Sequence, residues 1–393
     1  MRVAFTLIGG SHWTGGRNYL LNLFRVLKAH RDVDVDPVLF SGSDVSAEDL
    51  APFRQLLGGD MVRADGTAFR QTTASQIGSF VLGRVKRIEK ELTDRRIDVV
   101  FEAAGFYGWR FPLPCLTWIP DFQHRHLPHM FSTGYWWRRD VGYRVQVAAG
   151  RTIMLSSEDA RRDCETFYPT TRGRTVVVPF AVPPPSISHG SLAELLRRHE
   201  LPNDFLFMPN QFWKHKNHAV VIEALALLGE RGRSIVVAAS GNPADVRHVR
   251  HFDQLRERVR SHGLEAQFRF LGMLPYAEVL ALMASCRALI NPSLFEGWST
   301  TVEEAKALGV PLVLSDLAVH REQAGESAVY FAPSSAASTA EAMLEAKRSF
   351  GNGNLVERAR GAAVVAGANV DRYAARFADA VQLAARRFGG ATG

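Results

Sequence analysis

Short apolar runs rich in Val, Ile, Leu and Phe alternate along this chain with segments whose apolar residues return every three or four positions. The first pattern is that of a buried parallel strand, the second that of a helix covering it. "RVAFTLIG" predicts a strand and "GGRNYLLNLFRVLKAH" an amphipathic helix after it. "VDPVLFSG", "IDVVFEAA", "LPCLTWIPD" and "TVVVPFAV" read as further strands, and "VQVAAGRTIMLSS" runs from helix into strand. A long helix is expected over "IGSFVLGRVKRIEKELTDRR", and another over "SEDARRDCETFYP" with Ser157 as its cap.

The proline- and serine-rich stretch "VPPPSISHGS" (182–191) interrupts this rhythm as a linker would. The alternation then restarts. "DFLFMPNQ", "SIVVAASG", "FRFLGM", "RALINPS", "VPLVLSD" and "AVYFAP" predict strands. "NHAVVIEALALLGERG", "VRHFDQLRERVRSHGL", "YAEVLALMASC" and "STTVEEAKALG" predict helices, the last stopped by Gly309. The tail "VDRYAARFADAVQLAARRF" is again helical. The class is therefore α/β, with two Rossmann-like halves, each a parallel sheet flanked by helices. Ligands of such sheets bind outside the carboxyl ends of the strands, which points to a cleft between two facing halves.

Length agrees with this division, since 393 residues exceed one ordinary core. No apolar run reaches the length needed to span a bilayer, and "MRVAFTLIGG" reads as a first strand, not a leader. The 3 cysteines (Cys115, Cys164, Cys286) are scattered, which suits a reducing cytoplasm and excludes a CxxC metal site. A formal net charge of +7 suits phosphorylated substrates or an anionic lipid surface. No block of like charge stands out, so nucleic acid is not an expected partner.

One stretch carries concentrated chemistry: "NPSLFEGWSTTVEEAKALGVPLVLSD" (291–316). Glu296 and Gly297 fall in the turn after a strand, where glycine lets backbone approach a ligand. Ser299, Thr300 and Thr301 sit at the start of a helix, where amides and the macrodipole favour phosphate. Glu304 follows one turn later. A phosphate flanked by two hydroxylated groups would find its partners there in order. As a generic strand–helix unit, the same stretch would hold Glu303 and Glu304 simply as first-turn acids.

"PSLFEGWSTTVEEAKALGVPLVLSD" resembles the E-x7-E signature of retaining glycosyltransferases of the GT-B fold, particularly glycosyltransferase family four. Trp298 stands for the usual Phe, Ser299 for Gly, and Lys306 follows Ala305. The resemblance implies that Glu296 contacts donor-sugar hydroxyls, that Glu304 binds the nucleotide ribose, and that backbone at Ser299 and Thr300 holds the diphosphate. It extends over nearly the whole chain. "TGGRNYLLNL" supplies Gly15 and Gly16, similar to the family's glycine loop. "FMPNQFWKHKNH" is similar to the segment that carries an Arg and a Lys for the diphosphate; Lys216 matches the Lys, Gln211 stands at the Arg, and Lys214 is a nearby substitute cation. Gly272, Met273 and Leu274 lie where the family reads the base. "TWIPDFQHRHLPHMFS" lies where many members carry His-Asp; Asp121 and His124 are the candidates for orienting the sugar or the acceptor.

The expected domains are residues 1–184, with a crossover helix at about 372–393, and residues 185–371. The implied activity is transfer of a hexose, with mannose the first candidate, from a GDP- or UDP-linked sugar to a glycan or lipid-linked acceptor in polysaccharide synthesis. No cofactor and no metal are expected: "RDVDVDP" contains D-x-D, but its acids precede a strand, and H-x-H-x-x-H at 124–129 lacks a paired acid. The aromatic and arginine mixture "FSTGYWWRRDVGYR" fits either peripheral membrane contact or a helix whose Trp136 or Trp137 enters the core, and the core placement is preferred. The rival readings are a nucleotide-sugar 2-epimerase of the same fold and a non-catalytic nucleotide or glycan binder. A nicotinamide oxidoreductase lacks its G-x-G-x-x-G after the first strand.

Overall fold

The structure, a computed structural model, describes residues 1–7, 14–42, 45–63, 79, 83–103, 105–185, 192–351 and 355–391. Contacts divide the chain into two compact units: Met1–Phe122, Gly134–Ala181 and Asn369–Gly393 form the first, Gln123–Thr133 and Val182–Ala368 the second.

The first unit is built on strands β1 (Arg2–Thr6), β2 (Asp36–Ser41), β3 (Met61–Arg63), β4 (Val99–Glu102), β5 (Cys115–Trp118), β6 (Thr152–Leu155) and β7 (Thr175–Val177). All pair in parallel, in the order β3-β2-β1-β4-β5-β6-β7. Phe5 of β1 is in register with Leu39 and Phe101, and all three are fully or almost fully buried. Burying each such side chain stabilises the fold by about 1.5–3 kcal/mol. Helix Leu355–Ala391 brings Val370, Tyr373, Ala374, Phe377 and Val381 to this core, and Phe377 stacks on Phe5 at 6.1 Å.

The second unit repeats the plan with β8 (Leu206–Met208), β9 (Val237–Ser240), β10 (Phe268–Gly272), β11 (Ala288–Asn291), β12 (Leu312–Ser315) and β13 (Ala328–Phe331). Its parallel order is β10-β9-β8-β11-β12-β13. In both sheets the order reverses beside the first strand, so β1/β4 and β8/β11 are the switch points where loops diverge and leave a crevice. Helix Thr300–Ala307 stops as predicted, with Gly309 just beyond it at φ +68°, a conformation that favours glycine. Ser157 caps helix Glu158–Phe167 by accepting from the Ala160 amide.

Three expectations need correction. The helix expected over residues 77–96 is Lys86–Asp94 in its described part; Gly83, at φ +70°, precedes it, and 77–78 and 80–82 lie outside the described residues. Helix Ala336–Ser349 was not predicted, because its buried stripe (Thr339, Ala340, Met343, Ala346) is mostly small residues that give little periodic signal. Trp136 or Trp137 was expected in the core, but on helix Thr133–Ala148 Trp136 is half-buried and Trp137 is 55% exposed. There the buried residues are Asp140, Val145, Gln146 and Val147.

Candidate active site

In the second unit, β8 and β11 are neighbours at the switch point, and the segments that leave their carboxyl ends carry the candidate groups. Phe212 is fully buried and anchors the segment after β8, which then forms a 3-10 turn, Lys214–Lys216. Asn217 ends the turn in the left-handed region (φ +57°), a conformation asparagine tolerates better than most residues. Its Nδ2 donates to Pro292 O (3.1 Å) and Pro333 O (2.8 Å), while the His215 carbonyl accepts from the Leu294 amide (2.8 Å). The lysine-bearing turn is thus clipped to the loop that leads to Glu296.

Lys216 Nζ lies 2.6 Å from Glu296 Oε1, and Ser293 Oγ donates to the same oxygen at 2.7 Å. Both side chains are largely covered, at 15% exposed for Lys216 and 9% for Glu296. Burial alone would raise the Glu296 pKa. The charge of Lys216, with smaller help from His320 and from hydrogen bonds of Lys216 and Ser293, outweighs it and holds the carboxyl below the ordinary range. His320 is completely buried; its Nδ1 donates to Ser315 O at 2.8 Å, and burial lowers its pKa while the nearby Glu296 charge pulls the other way.

Glu304 is buried on helix Thr300–Ala307 and accepts from the Tyr276 hydroxyl at 2.8 Å. Burial raises its pKa to about 7, and that hydrogen bond pulls the other way. Tyr276 opens the helix that follows Gly272, Met273 and Leu274, so the loop expected to read a base and the carboxylate expected to hold a ribose are joined. Gly272 sits at φ +68° and its carbonyl accepts from the Gly241 amide, Met273 is exposed, and Leu274 is half-buried. Glu303, the neighbouring acid, is a structural residue: it is buried and accepts from Lys306 (3.0 Å) and Gln323 (3.1 Å).

Ser299 departs from expectation. Its amide, expected to face a phosphate, donates to Gln323 Oε1 at 3.0 Å, and its hydroxyl accepts from Asn291 Nδ2 at 3.0 Å. It is buried and acts as a pin, while Thr300 and Thr301 in the first helical turn, with Gly297 and Trp298 before them, are half-buried. Gln211, at the position of the family arginine, accepts from the Asn242 amide at 2.6 Å and fixes backbone. Lys214 has an exposed side chain, and its amide donates to Asp245.

The candidates from the first half of the sequence separate. Gly15 and Gly16 lie in the first turn of helix Thr14–Ala29, Gly15 exposed and Gly16 buried, and residues 8–13 before them lie outside the described residues. Asp121 stays with the first unit, where Oδ1 accepts from Arg139 at 2.7 Å and so braces helix Thr133–Ala148. His124, expected in the first domain, belongs by contacts to the second unit and is fully buried. In the same segment His126 stacks on Phe295 at 5.1 Å, next to Glu296. Sequence reasoning missed Asn217, Tyr276 and Gln323, whose partners lie far away in the chain, and also His320, which bonds to Ser315 five residues before it.

The second unit thus joins a parallel Rossmann sheet to a buried cation–carboxylate pair at its switch point and a second buried carboxylate on the helix that follows. Residues 196–376 match the family model for glycosyl transferases group 1. Among curated proteins the chain is similar to EpsF of Bacillus subtilis, 31% identical over 116 residues, which is 29% of this chain and 28% of that protein. It is equally similar, at 31% over 114 residues, to the glycogen synthase of Mycobacterium tuberculosis, covering 28% of this chain and 26% of that one. The match thus spans about a quarter of the length of these curated relatives. Over 98% of both chains the fold is that of a glycosyltransferase from Rickettsia africae (TM-score 0.71, 13% identity). It is also that of Anabaena HepE (TM-score 0.69, 15% identity, covering 97% of this chain and 99% of that one).

Proposed function

We propose that the protein is a retaining glycosyltransferase that moves a hexose from a nucleoside-diphosphate sugar to a glycan or lipid-linked acceptor. The observation that carries this reading is the Lys216–Glu296 pair at the β8/β11 switch point. Glu296 is held ionised where sugar hydroxyls would donate to it. Lys216, one bond away, is placed to meet the charge that develops on the departing diphosphate. The uncapped first-turn amides of helix Thr300–Ala307 add to that charge stabilisation, since Ser299 makes no side-chain capping bond. Glu304 accepts from the ribose. The acceptor oxygen bonds to the anomeric carbon as the bond to the diphosphate breaks. The proton passes to the departing phosphate oxygen on the same face, which keeps the anomeric configuration.

A UDP-linked hexose is the first donor to test, ahead of GDP-mannose, because HepE, of the same fold, is known in complexes with UDP and with UDP-glucose. Helix Thr133–Ala148 favours an acceptor presented at an anionic membrane surface. Tyr135, Trp137 and Val141 are 50%, 55% and 41% exposed, and Arg138 is exposed among them. Among the described residues, no helix is long and apolar enough to cross a membrane. The deciding experiment pairs a donor-binding screen of UDP-, GDP-, ADP- and TDP-sugars with product analysis by NMR. Transfer with retained configuration supports the reading. Conversion of the donor to its 2-epimer, or nucleotide binding without turnover on any acceptor, overturns it.

A further inference from the structure

Gln323 lies on helix Ala318–Ala324, 24 residues from Ser299, and is 95% covered. Its Oε1 accepts from the Ser299 amide at 3.0 Å, and its Nε2 donates to the Ser299 carbonyl at 3.1 Å. The same Nε2 donates to Glu303 Oε1 at 3.1 Å. The carboxamide orientation follows from these partners: turned over, it would set donor against donor at the amide and acceptor against two acceptors at the other end. One side chain thus holds both backbone groups of a single residue, and that residue is the N-cap of helix Thr300–Ala307. Asn291 holds the Ser299 hydroxyl from the other side.

We propose that Gln323 is a positioning residue for the diphosphate end of the donor site. By occupying the Ser299 amide and carbonyl, it fixes where the helix begins and leaves the Thr300, Thr301 and Val302 amides to face the phosphates. This rests on the donor-binding reading above. Its particular consequence is that Gln323 acts on the β-phosphate and not on the nucleoside. Glu304 and the base loop belong to other contacts, with Tyr276 and Gly241, that Gln323 does not touch.

The test is calorimetry of the full chain with UDP, UMP and uridine, or with the corresponding nucleotides of whichever base the wild type binds. Gln323→Leu should weaken the diphosphate about tenfold or more while changing the nucleoside less than about threefold, and should raise KM for the donor more than it lowers kcat. Gln323→Glu sets a carboxylate against Glu303 and the Ser299 carbonyl and should be worse. Adding Glu303→Gln turns the clash with position 303 back into a hydrogen bond, although the Ser299 carbonyl still faces a carboxylate, and should recover part of the diphosphate affinity lost in Gln323→Glu, which also covers the case in which the leucine variant fails to fold. Equal loss for diphosphate and nucleoside, no loss for either, or no recovery in the exchange variant overturns the proposal. A wild type that binds no nucleoside diphosphate overturns the donor reading itself.

Discussion

Lys216 Nζ sits 2.6 Å from Glu296 Oε1, and both side chains are largely shielded from water. The pair serves stability and chemistry together, and the two can be separated. Lys216→Met should leave Glu296 covered without its cation, raise its pKa and cost at most about 3–5 kcal/mol of stability. Adding Glu296→Gln should restore most of the melting temperature, because a neutral pair needs no counter-charge. Transfer should stay at least about 100-fold down in both variants, since the charge aimed at the leaving group is gone. Thermal melts beside donor turnover give both readings.

Glu304 gives a pH dependence of definite sign. Burial favours its neutral form and lifts the pKa from 4.5 to about 7. The folded protein therefore binds this proton more tightly than the unfolded chain. The resulting stabilisation is full below pH of about 4.5 and is lost as pH rises through about 7. Glu304→Gln should raise the melting temperature at pH 8, by at most about 3 kcal/mol in free energy, and leave it unchanged near pH 4.5. Affinity for the free nucleoside, which has no phosphate to titrate, should rise between pH 6 and 8 in the wild type and stay flat in Glu304→Gln.

Most strands and helices were legible because a parallel strand covered on both faces must be an unbroken apolar run, as "VVFE" at 99–102 and "LVLS" at 312–315 nearly are. Glu296 and Glu304 stood out for a different reason, their place between a strand end and a helix start, whereas Lys216 was singled out only by the resemblance of its segment to the family's; the structure brings it to Glu296. Gln323 and Tyr276 were not legible. They meet Ser299 and Glu304 across 24 and 28 residues, and only the parallel crossovers bring those elements together. Trp137 misled because aromatic and basic residues surround its helix on all sides, which leaves no stripe to mark the buried face.

The first unit holds its own ion pair, between Arg151 and the fully buried Glu102 at the end of β4. Glu102 also accepts from Thr117 Oγ1 (2.7 Å) and the Tyr107 amide (3.1 Å), and Arg151 reaches the Gly108 carbonyl at 2.6 Å. Arg151→Ala strands a buried carboxylate and should cost about 3–5 kcal/mol. At about 2–4 °C per kcal/mol this is a drop of roughly 10 °C, read by calorimetry. Arg151→Lys should recover only part of it, because one ammonium cannot reproduce the guanidinium fork.

Membrane contact is open to a direct measurement. In co-sedimentation, the wild type should bind vesicles containing phosphatidylglycerol more strongly than pure phosphatidylcholine, and more weakly as salt rises. Trp137→Ala and Arg138→Ala should each lower the bound fraction several-fold while leaving turnover of the donor on a water-soluble acceptor unchanged. Equal binding by wild type and both variants would remove this face from consideration.

Helix Leu355–Ala391 delivers Tyr373, Phe377 and Val381 to a core whose other members, such as Phe5 and Phe101, come from the opening third of the chain. During synthesis, that core is left waiting while all of residues 182–368 emerge from the ribosome. The second body can mature as soon as its own strands are out, whereas the first, although made earlier, closes last. A premature stop at about residue 369 would therefore leave the older half exposed and spare the younger one.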